Sequence, residues 1–149
     1  MGSDRIEKSI VLRAPRSRVW RAIANAEEFG RWFRVKLEGS FAPGVRVRGQ
    51  ITHPGYEHVA LEMQIERMEP EQLFSYRWHP YAVEPGVDYS GEPMTLVEFR
   101  LEDAPEGTRL CVVESGFEHI PLARRVDAFR MNEQGWAGQL ENIERHVSA

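Results

Sequence analysis

PLARRVDAFRMNEQGWAGQLENIERHV, residues 121–147, is the stretch that sets the architecture. Within it Leu122, Val126, Phe129, Trp136, Leu140, Ile143 and Val147 recur at steps of three, four or seven, which gathers side chains on one side of an α-helix. The spacing predicts one amphipathic helix of about 26 residues, on the order of 39 Å long at 1.5 Å per residue. A short chain seldom carries a helix of that length. Its apolar stripe therefore needs a broad surface to lie across.

That surface is written upstream as alternation. Val59, Leu61, Met63 and Ile65 share one face against Glu62, Gln64 and Glu66, and Phe74, Tyr76 and Trp78 alternate with Ser75 and Arg77. Thr95, Val97, Phe99 and Leu101 form a further run, and Leu110 and Val112 another, with Glu114 in the same phase. Val35 with Leu37, and Val45 with Val47 and Ile51, behave alike; Pro43-Gly44, His53-Pro54-Gly55, Pro70-Glu71 and Glu106-Gly107 mark the turns between runs. Near the start, Ile6, Ile10 and Leu12 make a first strand. Pro15 then suits the opening turn of a helix that runs to about residue 25, with Val19, Trp20 and Ile23 as its apolar face. A second short helix over 27–32 brings in Phe29, Trp32 and Phe33. Seven strands joined mostly by short turns imply a meandering antiparallel sheet. The expected class is α+β: a strongly bent sheet gripping one long helix, as a single domain over 1–149.

Composition narrows the function. The 149 residues include 42% hydrophobic and 28% charged side chains, as in a globular protein, and carry a formal charge of −4. An acidic chain without a basic patch argues against nucleic acid as a partner: Arg13, Arg16, Arg18 and Arg21 are spread around a short helix, and Glu27 and Glu28 follow. The single cysteine, Cys111, leaves no internal disulfide or CxxC pair. No apolar run approaches the roughly 20 residues of a membrane span, and Met1-Gly2-Ser3-Asp4-Arg5 lacks the pattern of a secretory leader. A cytoplasmic location is expected. The five histidines, His53, His58, His79, His119 and His146, form no HxxxH, HxH or HExxH, so no metal is expected. No GxSxG, GxGxxG or GxxxxGK[ST] is present, which leaves no expected cofactor and no nucleophile with sequence support.

The order of motifs resembles a known family. Ile10-Val11-Leu12-Arg13-Ala14-Pro15 followed by Val19-Trp20-Arg21-Ala22-Ile23 is similar to its opening strand and helix, and Phe29 with Trp32 to its second helix. Glu114-Ser115-Gly116-Phe117, and Asn132-Glu133-Gln134-Gly135-Trp136 with Leu140, are similar to its closing signature. The family is the START-like helix-grip superfamily (SRPBCC), in the branch homologous to the activator of heat-shock protein 90 ATPase. The resemblance implies a β-α-α-β6-α fold with a cavity between sheet and helix that, in most members, takes a hydrophobic small molecule.

The candidate walls of such a cavity are Leu61, Met63, Phe74, Tyr76, Trp78, Phe99 and Val112 from the sheet and Phe129, Trp136 and Leu140 from the helix. Plain core packing is the alternative for each. Tyr76 and Trp78 stand out because a buried O–H or indole N–H needs a partner. Glu114 in strand phase and Glu133 beside the helix stripe are the candidate polar anchors; the alternative puts Glu114 in solvent near a strand end and Glu133 at the rim. Gly135, unfavourable in mid-helix, suggests close packing against the sheet or Trp20, or else a pocket opening. Asn132 suggests a bond to the Gly116-Phe117 segment. Residues 79–93, with Tyr81, Val83, Val87 and Tyr89, read as a long loop fit to close a pocket mouth, to meet another subunit, or to lie loose on the surface.

Three functions follow. The first is non-enzymatic binding of a hydrophobic small molecule, a lipid among the candidates. The second is a chaperone-binding interaction module, and the third a small lyase, cyclase or hydrolase using Glu114 or Glu133. The chain is expected to be a monomer or a weak homodimer without a membrane span.

Overall fold

The computed structural model describes residues 5–148; residues 1–4, where the leader reading falls, lie outside the described residues. Strand β1 (Arg5–Leu12) leads into helices α1 (Arg16–Ala24) and α2 (Ala26–Phe33). Six strands follow: β2 (Val35–Glu38), β3 (Arg46–Ile51), β4 (Ala60–Glu69), β5 (Leu73–Trp78), β6 (Thr95–Ala104) and β7 (Gly107–Ser115). A 3-10 turn (Phe117–His119), which the sequence pattern does not announce, precedes helix α3 (Leu122–Ser148). The strands form one curved antiparallel sheet in the order β1-β7-β6-β5-β4-β3-β2. Successive hairpins lay down β2 to β7, and β1 closes back on β7. The helix-grip architecture expected from the sequence is the one observed.

Local chemistry explains the joints. Asn25 ends α1 and caps α2, its side chain accepting the Glu28 N–H at 3.0 Å. Between Ile65 and Arg67 the pairing of β4 with β5 slips by one residue, so the inward phase passes from Ile65 to Met68. Such a bulge bends a strand and helps the sheet to curl. Gly107 sits at φ 151°, where a Cβ would lie 2.2 Å from the Leu12 carbonyl oxygen. Only glycine lets the β6–β7 turn approach the end of β1 so closely.

Residues Ile65, Tyr76, Val97, Glu114 and Ile6 lie in one row across five adjacent strands. All five are buried, so the side-chain period of two carries Glu114 into the interior with its neighbours.

The helix stripe differs from its reading. Leu122 and Val126 are 72% and 67% exposed, while the buried residues of α3 are Ala128, Trp136, Leu140, Ile143 and Val147. The inward row runs in steps of four through Arg124, Ala128, Asn132, Trp136 and Leu140. At about 100° per residue, Leu122 and Val126 are turned roughly 200° from Arg124. Two members of the true row are polar, and hydrophobic counting passes over them.

Candidate functional site

Glu114 is fully buried on β7, and four side chains donate to it. The Trp136 indole N–H reaches Oε1 at 2.8 Å, the Trp78 indole N–H reaches Oε2 at 2.8 Å, and the Thr95 hydroxyl reaches Oε2 at 2.6 Å. The Asn132 amide spans both oxygens, at 3.0 and 3.1 Å. The two indole N–H groups and the amide NH2 can only donate, so three of the four partners suit a carboxylate, while the Thr95 hydroxyl can donate or accept. Burial pushes the Glu114 pKa up, and the bonds from Thr95, Trp78, Trp136 and Asn132 pull against that rise. The consequence is positional. Trp78 and Trp136 are stacked, with ring centroids 5.6 Å apart and planes 25° apart, and both are pinned by one carboxylate joining sheet to helix.

Above this pair opens a cleft of about 750 Å³. Its walls come from β3, β4 and the turn between them (Ile51, Tyr56, His58, Leu61), from the 79–93 segment, and from α3 (Met131, Asn132, Gly135, Gln139); Phe33 and Trp78 complete it. A recess of about 90 Å³ shares Trp78, Asn132 and Gly135 with it and reaches Trp136. Gly135 therefore lines the opening, and a Cβ built there meets nothing within 4 Å. Close packing is not its reason; of the two readings, the pocket opening is the one observed.

The 79–93 segment is fastened at both ends by one guanidinium. Arg124 donates to the Pro80 and Tyr81 carbonyls at 2.8 Å each, pairs with the Glu92 carboxylate at 2.9 Å, and lies 4.7 Å from the centre of the Tyr89 ring. His58 Nε2 adds a contact to the Val83 carbonyl at 2.8 Å, and His79 Nε2 one to the Glu92 carbonyl at 3.0 Å. Among the described residues no three His, Cys, Asp or Glu side chains converge, and no described helix is long and apolar enough to cross a membrane.

The residues singled out from the sequence separate into groups. Leu61, Trp78 and Trp136 line the cleft or its recess. Met63, Phe74, Phe99, Val112 and Leu140 are buried in the core and line neither. Phe129 is half-buried against Phe117, with ring centroids 5.2 Å apart. Tyr76 is fully buried, and its hydroxyl has no hydrogen-bond partner among the described residues. Burial, then the Glu114 charge, drives its pKa well above the ordinary phenol value. Glu133 is exposed, because Asn132, four residues before Trp136, takes the inward position and turns Glu133 about 100° away. The two carboxylates are not brought together. Asn132 bonds Glu114 instead of the Gly116-Phe117 segment. Arg124 and the Tyr56–His58 turn had no signal in spacing alone, and Thr95 and Phe33, though placed in apolar runs by the pattern, acquire their roles here from partners distant in sequence.

The family described as Activator of Hsp90 ATPase homolog 1-like protein matches residues 13–148. No curated protein matches the sequence. Among solved structures, a crystal structure of a Mesorhizobium loti protein is 22% identical with a TM-score of 0.75, over 97% of this chain and 96% of its own. A solution structure of an Arthrobacter aurescens protein is 17% identical with a TM-score of 0.79, over 98% of this chain and 87% of its own. The Aha1 dimer from Colwellia psychrerythraea is 14% identical with a TM-score of 0.72, over 96% of this chain and 95% of its own. Identities this low carry the fold alone. The sequence match spans both small helices, strands β2 to β7 and α3, so the chain belongs to the Activator of Hsp90 ATPase homolog 1-like family, within the helix-grip fold of the START-like superfamily.

Proposed function

We propose that the chain binds a small, largely apolar molecule in the cleft between the β3–β4 hairpin, the 79–93 segment and α3. The observation that carries this reading is the cleft of about 750 Å³ whose floor, Trp78, is held by the buried Glu114. That volume is of the size that small-molecule sites occupy. Its lining joins the buried Trp78 and the half-buried Phe33 and Leu61 to exposed carboxylates, Glu84 and Asp88, groups able to cover an apolar body and orient a head group. A floor already locked by hydrogen bonds costs little ordering when a guest arrives.

Gly135 supplies the test. N-phenyl-1-naphthylamine brightens on leaving water, and titration into the wild-type protein is expected to saturate. Gly135→Leu fills the opening from α3 without crowding the fold. It should weaken dye binding at least tenfold while the thermal midpoint holds or rises, because Leu is favoured over Gly in a helix by up to about 1 kcal/mol. A folded Gly135→Leu protein that takes up dye like the wild type would remove the cleft as the site.

A second reading, an interaction module acting on a chaperone, is favoured by Leu122 and Val126, exposed side by side at the start of α3. The same titration separates the two, since a purely surface-acting module has no saturable dye site.

A further inference from the structure

The charges around the cleft do not balance. The cleft's one arginine, Arg48, is matched by Glu62 at 2.9 Å. Arg124, the next cation along the 79–93 segment, is consumed by Glu92 and two carbonyls. Two carboxylates on that segment, Glu84 and Asp88, line the cleft, are exposed, and pair with no Lys or Arg among the described residues. The floor has the same sign. Trp78 lines the cleft, its ring stacked on Trp136 and its N–H donating to Glu114. An indole ring is a surface to which an ammonium group is attracted.

We propose that the cleft selects an organic cation, a flat apolar body carrying an ammonium group, over the anionic amphiphiles that an apolar pocket of this size would otherwise admit. The apolar body rests on Trp78 and the aliphatic walls, and the ammonium lies toward Glu84 and Asp88. A fatty acid or other carboxylate would meet two unmatched negative charges at the rim and no free guanidinium to receive it. This inference rests on the cleft being the binding site, as proposed above.

Three probes with one body separate the two claims: (2-naphthylmethyl)trimethylammonium, 2-naphthalenemethanol and 2-naphthylacetate. They are titrated calorimetrically at pH 8. The expected order is cation, then alcohol, then carboxylate, with the cation about tenfold tighter than the carboxylate at low ionic strength and the ratio shrinking as salt is added. In the double variant Glu84→Gln/Asp88→Asn, whose changes sit on an exposed loop, the ratio of cation to carboxylate affinity should fall several-fold. A carboxylate that binds as tightly as the cation overturns the charge selection while leaving the cleft as a site. An unchanged ratio in the double variant overturns the assignment to the rim. If even the uncharged alcohol fails to bind, the cleft itself is lost as the binding site and the inference goes with it.

Discussion

At the scale of single residues the protein turns on two polar groups in one row of the sheet, treated in opposite ways. Glu114 is given four donors, whereas the Tyr76 hydroxyl is given no partner among the described residues. Substitutions should therefore move stability in opposite directions. In Glu114→Gln an NH2 replaces one acceptor oxygen and faces N–H or O–H donors, leaving buried donors unpaired at a cost of about 2–4 kcal/mol. Tyr76→Phe removes an unsatisfied hydroxyl and should gain about 1 kcal/mol. Urea unfolding followed by tryptophan fluorescence measures both, and a loss of stability in Tyr76→Phe would show that the hydroxyl has a partner. The phase of Glu114 was legible in the sequence, because it continues the alternation of Leu110 and Val112. Its partners were not. Asn132, Trp136 and Trp78 lie 18, 22 and 36 residues away, and no spacing rule connects them.

At the scale of elements the 79–93 segment is the informative case. Its three prolines and two glycines mark it as irregular, yet it is fastened through the Arg124 side chain. Tyr81 within it adopts φ 47°, an uncommon conformation for a tyrosine, and its carbonyl accepts from the same guanidinium. Arg124→Ala should raise amide hydrogen exchange across 79–93 by about tenfold or more, the behaviour of a locally opening unit, with little change in global unfolding. Arg124→Lys should recover only part of the protection, because an ammonium cannot deliver a planar fork to two carbonyls and a carboxylate together. Equal exchange in all three proteins would show that the segment is held by its other contacts. An arginine in the first turn of a helix otherwise reads as solvent-facing, which is why the sequence pattern left it unmarked.

At the scale of the whole molecule, Glu28 joins three helices. From α2 it binds Arg18 at 2.7 Å and Arg21 at 2.8 Å, both on α1, and the His146 ring at 2.8 Å near the end of α3, with its side chain 14% exposed. Burial alone would raise its pKa; the bonds from His146, Arg18 and Arg21 overcome that and hold it at about 2. A carboxylate depressed in the folded state contributes stability that is complete above its ordinary value of 4.5 and lost as the pH falls toward about 2. Glu28→Gln should thus cost on the order of 3 kcal/mol at pH 7. The gap from wild type should close as unfolding is measured down from pH 5 to pH 2. A gap that stays constant over that range would mean that the ion pairs contribute nothing.

Periodicity alone was enough for the seven strands, the two short helices, the long helix and their order, because a sheet or helix with one apolar face has few ways to bury it. The inward phase of Glu114 followed from the same rule. Which face of α3 turns inward required the fold, since its row contains Arg124 and Asn132 and their burial depends on partners in the 79–93 segment and on β7. The location of the cleft did too: Phe74, Phe99 and Val112 are buried in the closed core, and the space lies instead at the β3–β4 hairpin beside Gly135. Burial is a property of one residue's pattern. Free space depends on how side chains from several elements meet, and that is settled only when they pack.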